Sequence, residues 1–270
     1  MRKDIIVAIC LAIVVVVISY IVTLGGGLGP LFNDVRPLAT IYLSTTLNTY
    51  NITFTAMSPE AVTAIVWDYR GLDTLFETAV FYLAIIGSVA VYRGIDEKLR
   101  ASEGFGLSKI VKVVTKLLIP MNIAIAASIA LHGHLTPGGG FQAGAAMAVI
   151  PILLIVVFSR YFLLDIRLSK GLALALRSIG LLGIALTVFI PVVIGLIRGL
   201  NAYIMQNQAK INAPVSLPAF IGDSLISGSL ILYNVSEFLA VSFGFAILFI
   251  LLSIEEGLVK DQMRGEGVEH

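Results

Sequence analysis

Charge is what this sequence has least of. Asp, Glu, Lys and Arg make up 13% of its 270 residues, about half the roughly 25% of a soluble domain. Together with 58% hydrophobic residues and a mean hydropathy of +0.97, that scarcity excludes an ordinary soluble fold. Cysteine is nearly missing too. Cys10 stands alone inside the first apolar run, so an internal disulfide and a multi-cysteine metal or cluster site are both excluded. A net charge of +1 without a basic stripe argues against a nucleic-acid partner. His132 and His134 stand at i, i+2 with no third ligand nearby, so no metal site is expected. The glycines that follow them match neither a Walker nor a dinucleotide fingerprint, and no strand precedes them. No catalytic site and no cofactor is expected in this chain.

What the sequence does have is apolar runs, several reaching the roughly 20 residues a helix needs to cross the hydrocarbon. Bounded by charges, glycines and prolines, they predict six spans at about 5–24, 72–92, 110–132, 141–164, 171–198 and 226–253. The expected fold is an all-α integral membrane protein with about six transmembrane helices, multi-pass in the cell membrane, with the lipid bilayer as its solvent. The first run, Ile5 to Leu24, is too long for a signal peptide and lacks a small-residue cleavage site, so it reads as a retained helix. With the N-terminus inside, Arg2, Lys3, Arg93, Lys98, Arg100, Lys109, Lys112, Lys116, Arg160, Arg167, Lys170, Arg177, Lys260 and Arg264 fall on the inner side. Only Arg36, Arg70, Arg198 and Lys210 fall at the outer ends, which predicts that both termini are cytoplasmic.

Polar stretches suggest the organisation. A two-helix N-terminal part covers 1–95, a polar cytoplasmic linker 96–108, a four-helix part 109–254 and a polar tail 255–270. The segment from Gly25 to about Arg70 reads as a long outer loop with a short surface helix, packing on a partner.

Three stretches carry candidate chemistry. Helical steps of about 100° place Arg70, Asp73 and Glu77 on one face at the start of an apolar span. Ionisable groups cost at least ~2.5–3.5 kcal/mol each at a helix centre, so they face partners or a water-filled path. Either these three form a proton or cation relay, or Asp73 caps the first turn and Arg70 makes an interfacial ion pair. Glu237, with Asn234 beside it, is the acid nearest a membrane midplane and the second relay candidate; the alternative is a protonated side chain bonded to a neighbouring helix. Lys112, Lys116 and Arg177 are expected to snorkel to the interface, and Lys116, the deepest, is a further candidate for an ion pathway. Pro137, Gly138, Gly139 and Gly140 predict a tight outer turn, and Gly140 and Gly144, four apart, a helix packed closely on a neighbour. His132 and His134 are then candidate surface proton groups. There is also a faint echo: Leu75-Phe76-Glu77 with Phe81 and Gly87 matches Leu232-Tyr233-Asn234 with Phe238 and Gly244 at the same offsets.

On these motifs the sequence resembles a known family. His132-Gly133-His134 through Pro137-Gly138-Gly139-Gly140-Phe141 to Gly144 looks like the signature of the B subunit of Mrp-type multisubunit sodium/proton antiporters, and residues 105–254 fit its layout. Asp68-Tyr69-Arg70-Gly71-Leu72-Asp73-Thr74-Leu75-Phe76-Glu77 resembles a motif near the C-terminal end of the Mrp A subunit, with Tyr69 and Phe76 departing from it. The resemblance implies a fusion of two neighbouring elements, also found in archaeal membrane-bound hydrogenase and sulfur-reducing complexes. It implies other Mrp-type membrane subunits as partners, large antiporter-like ones included, or hydrogenase or reductase modules. It makes Glu77 an ion-pathway candidate, with a transported Na+ or H+ as the ligand. The acid expected at the position of Asn234 is missing, leaving Glu237 one turn on. The chain also lacks the lysine- and glutamate-containing broken-helix core of the large subunits, so it should not pump by itself.

Overall fold

The computed structural model describes residues 2–24, 35–95, 106–166, 169–257 and 259–260. Most of the linker expected at 96–108, most of the tail expected at 255–270, the Gly25–Gly27 run, Pro30 and the side chains of Arg2, Lys3, Lys98, Arg100, Arg167 and Arg264 lie outside the described residues.

Ten helices are found among the described residues: α1 (Arg2–Thr23), α2 (Pro37–Thr46), α3 (Ala61–Ala64), α4 (Gly71–Val91), α5 (Lys109–His132), α6 (Gly140–Met147), α7 (Val149–Phe158), α8 (Arg160–Asp165), α9 (Lys170–Arg198) and α10 (Ser229–Leu252). A π-helical turn, Ile65–Tyr69, leads from α3 to α4, and a hairpin of β1 (Phe220–Ile221) and β2 (Ser224–Leu225) precedes α10. Six helical stretches are long and apolar enough to cross a bilayer: Ile5–Thr23, Gly71–Val91, Lys109–His132, Gly140–Phe158, Lys170–Arg198 and Ser229–Leu252.

The chain forms two compact units, Met1–Ile41 and Tyr42–His270. In the first, the side chains of α1 from Ile5 to Tyr20 are all exposed, as suits a helix whose apolar surface faces lipid. In the second, α10 is the hub, packing against α9, α6, α5, α4 and α7. Small residues permit this: an added Cβ on Gly180 would lie 2.5 Å from the Ala240 nitrogen, and one on Gly144 2.6 Å from Val241 Cβ.

Proline and one unusual dihedral divide the fourth span. Pro151 has no N–H to give the Met147 carbonyl, and helix α6 ends at Met147. The helix expected to run to 164 stops at Phe158, because Ser159 takes φ 94°, and resumes as α8.

Two expectations are corrected by packing. Arg177 does not snorkel: it is 2% exposed, donating from Nη2 to the Tyr82 carbonyl at 3.2 Å with its guanidinium 4.8 Å above the Tyr82 ring. A carbonyl and a π-face from α4 replace the water it would otherwise seek. The stretch before Arg70, expected to lie on a partner, in large part packs into this chain. Ala56, Ala64 and Trp67 join Ile184, Val188, Met205, Leu230 and Tyr233 in one buried cluster. Trp67 stacks on Tyr233 at 4.4 Å and 5°, a pairing worth ~0.5–1.5 kcal/mol beyond area burial.

The segments 42–70, 133–139 and 199–228 gather at one end of the second unit, the loop face. Ser58 Oγ donates to the His134 carbonyl at 2.6 Å, His134 Nε2 lies 3.0 Å from the Leu225 carbonyl, and Asn207 Nδ2 donates to the Ala56 carbonyl at 2.8 Å. Side chains of the three segments thereby satisfy one another's backbone carbonyls.

Candidate functional site

Beneath the loop face lies a cavity of about 240 Å³. Its polar lining comes from four places in the sequence: Thr63 and Trp67 before α4, Thr74, Glu77 and Thr78 on α4, Gln142 on α6, and Asn234 and Glu237 on α10. At ~1.5 Å rise per residue, Glu77 is about 9 Å into α4 and Glu237 about 12 Å into α10, both counted from the loop face.

Glu237 is buried and positioned by glycine. An added Cβ on Gly140 would fall 2.6 Å from Glu237 Cβ and 2.7 Å from Glu237 Oε2, so the carboxylate lies against the first turn of α6. The helix cap, Gly139, offers no side-chain acceptor, and the Phe141 N–H faces Glu237 instead. A carboxylate at a helix N-terminus meets unpaired N–H groups and the positive end of the dipole. The indole N–H of Trp67 also faces Glu237 without closing a hydrogen bond. Asn234 is fully buried, and neither of its amide atoms has a protein partner. The threonine hydroxyls are tied back, Thr63 to the Gly133 carbonyl at 2.5 Å, Thr74 to Val66 at 2.5 Å and Thr78 to Thr74 at 2.6 Å, so each presents an oxygen lone pair rather than a proton.

A second cavity, about 250 Å³, opens at the loop face between Asp68, Tyr69, Arg70, Tyr203, Gln206 and Lys210. The Asp68 side chain is 2% exposed and pairs with Lys210 Nζ at 3.3 Å. Burial raises the Asp68 carboxyl above its ordinary range, and Lys210 only partly offsets this. The Tyr69 phenol is raised as well, chiefly by burial, against the opposing bond to Thr45. Burial lowers His134, and its bond to the Leu225 carbonyl opposes that shift.

Comparison with known proteins supplies the family. Residues 110–247, just over half of the chain, match the family described as a domain related to the MnhB subunit of Na+/H+ antiporter. The chain belongs to this family. An uncharacterized protein of Methanocaldococcus jannaschii is 27% identical over 225 residues, spanning 77% of this chain and 82% of its own length. Among solved structures, a chain of the membrane-bound sulfane sulfur reductase, an archaeal respiratory membrane complex, aligns over 94% of this chain and 100% of its own, at 25% identity and TM-score 0.54. A chain of the Mrp complex from Dietzia sp. DQ12-45-1b aligns over 93% of this chain and 26% of its own, at 17% identity and TM-score 0.58, a likeness of fold. The protein is a multi-pass membrane protein whose structural relatives are parts of multisubunit membrane complexes.

Within the MnhB-related region, residues 110–247, Glu237, Gly138 and Gly139 line the main cavity, and Gly140 and Gly144 face α10. Glu77 reaches the same cavity from α4, before that region begins. The echoed positions Glu77 and Asn234 thus meet at one place. Arg70 and Asp73 do not line this cavity; they pair with each other on the exposed side of α4's first turn. Lys116 is exposed on α5, 6.0 Å from the Phe158 ring centroid and apart from both cavities. Pro137 lies in the turn, exposed, and does not line either cavity. His132 is exposed and bonded to the Ser128 carbonyl at 3.0 Å, whereas His134, expected at the surface, is 2% exposed because 55–60 and the β-hairpin close over it. No group of three or more metal-ligating side chains occurs among the described residues. Sequence reasoning missed Trp67, Gln142 and the Asp68–Lys210 pair; a lone lysine in the loop before α10 was the one visible signal of the last.

Proposed function

We propose that this chain is a membrane subunit of an antiporter module, in which Glu77 and Glu237 handle the proton or cation that the module moves. The observation that carries the reading is the meeting of two acids, 160 positions apart in sequence, at one cavity roughly 10 Å below the loop face. A buried carboxylate against a helix N-terminus and a second, more open one across a cavity form two stations of unequal environment, which is what stepwise uptake and release require. Competition between a proton and a cation for these carboxylates would couple their movements.

Family membership and the likeness to chains of two multisubunit complexes support the subunit reading. The alignment of 93% of this chain with a single longer chain supports two elements joined in one polypeptide, an Mrp A-like element over 1–95 and an Mrp B-like domain over 109–254 in this reading. The bias of Lys and Arg supports an outward loop face with both termini cytoplasmic. Other Mrp-type subunits are the proposed partners, with a hydrogenase or reductase module if the parent complex is redox-driven.

The test is Glu77→Gln and Glu237→Gln in the purified complex in proteoliposomes, with an imposed sodium gradient and interior pH followed by a trapped dye. Each substitution is expected to lower exchange by about 100-fold while subunit composition is unchanged. One observation favours a scaffold instead: the Glu237 carboxylate lies against the first turn of α6, the place of a structural cap. Normal exchange by both assembled variants would decide for the scaffold. Mass spectrometry of what co-purifies separates the parents. Large antiporter subunits alone indicate a plain antiporter, and iron–sulfur-bearing subunits indicate a redox-driven complex.

A further inference from the structure

Resting on that reading, we propose that the Asp68–Lys210 pair is the loop-face proton port of the cavity, and that Tyr233 is the relay between them. Asp68 sits on the inner side of the π-helical turn, its side chain closed to solvent, while Lys210 is one-third exposed at the mouth of the second cavity. Lys210 is held there by a reciprocal backbone bridge with Ala213, at 2.9 and 3.0 Å. The loop therefore presents the ammonium at a fixed place.

Trp67 and Asp68 stand between the two cavities, and Tyr233 is stacked on the Trp67 ring. Trp67 precedes Asp68 in sequence and lines the main cavity, so the wall has Asp68 on one side and Glu237 and Asn234 on the other. Tyr233 is fully buried and its hydroxyl has no hydrogen-bond partner. Asp68 follows directly on Trp67, whose ring is stacked on this tyrosine. Tyr233 and Glu237 stand four positions apart on one face of α10, and Trp67, Tyr233 and Asn234 each carry a buried polar atom without a partner. Buried polar groups are paired almost everywhere in proteins, so three such residues left open beside one ring stack need a reason.

The transfer balances simply. Protonated Asp68 gives its proton to the Tyr233 oxygen as the Tyr233 hydroxyl proton moves on to a carboxylate of the main cavity, ending on a lone pair of Glu237 or Glu77. Tyr233 stays neutral, and Asp68 is left ionised beside Lys210 until a proton from solvent neutralises it. While Asp68 is protonated, the Lys210 ammonium at the mouth repels small cations, so the port passes protons in preference to sodium.

The assay is the same proteoliposome exchange. Tyr233→Phe removes one unpartnered oxygen and keeps the stack; with Asp68→Asn, it is expected to cut proton flux by about 100-fold, and the double variant to be no slower than the worse single one. Lys210→Met raises the proton affinity of Asp68, so its flux should shift to higher pH, a change that merely loosening the loop would not produce. Wild-type flux in Tyr233→Phe and Asp68→Asn, with Glu77→Gln and Glu237→Gln inactive, overturns the port and leaves the proposed function standing. Normal flux in Glu77→Gln and Glu237→Gln overturns both. Should Tyr233→Phe fail to assemble, Lys210→Met decides, and an unshifted pH profile counts against the port.

Discussion

Gly140→Ala tests the idea that close approach of α6 to α10 is what positions Glu237. An added Cβ would lie 2.5 Å from the Asn234 carbonyl oxygen, 2.6 Å from Glu237 Cβ and 2.7 Å from Glu237 Oε2. Ordinary contact begins near 3.4 Å, so α6 must retreat by about 1 Å or the glutamate must leave its rotamer. The Asn234 oxygen belongs to a helix backbone and cannot swing away. Overpacking of this kind costs ~1–3 kcal/mol. The gain of alanine over glycine in helix propensity, ~1 kcal/mol in an interior and less in a first turn, offsets part of it. A net loss of about 1–2 kcal/mol remains, or about 2–8 °C of melting temperature at ~2–4 °C per kcal/mol. Gly87→Ala on α4 is the control, because nothing in the chain lies within 4 Å of its added Cβ. It should be neutral or stabilising by up to ~1 kcal/mol. The measurement is thermal unfolding of the purified chain in mild detergent by far-ultraviolet circular dichroism. Equal melting of the two variants would refute the packing argument.

The loop face carries two further predictions. Burial holds His134 below its ordinary value of 6.5, so folding favours the neutral ring. Stability is therefore complete above that pH and is lost as the pH falls through it, the buried imidazole having to charge. Melting scans across the acid range should show this loss, and His134→Asn should flatten it. Asn207→Ala strands the Ala56 carbonyl and the Ser229 N–H, bonded now at 2.8 and 2.9 Å, at ~1–3 kcal/mol for each buried group left unpaired. Limited proteolysis should then cut within 199–228 at temperatures where the parent chain resists.

How much was readable in advance depended on the range of the forces involved. The six spans were legible to within a few residues, except that Ser159 ends the fourth early, because hydropathy is a property of each segment and the bilayer acts on each separately. Glu77 and Glu237 could be singled out for the same reason, since an acid in an apolar run is costly wherever the rest of the chain lies. Their meeting could not be read, because it depends on α10 crossing α6 at Gly140 and on α4 crossing α10 at Gly244, where Phe81 lies. Arg177 and His134 were misplaced for the converse reason. Each looks like an interfacial residue in its own segment, and only the Tyr82 ring or the closing loops bury it. Lys210 is 142 positions from Asp68, so no local pattern announced their pairing.

The wall between the two cavities contains the only tryptophan in the sequence. Indole emission responds to nearby charge, and here Asp68 is the next residue in the chain and Glu237 lines the same cavity as the ring. The protein therefore carries an intrinsic optical probe of its own protonation. A change in the charge of either carboxylate should shift the emission of unlabelled, working protein, so the filling and emptying of the two stations can be timed directly within a single turnover.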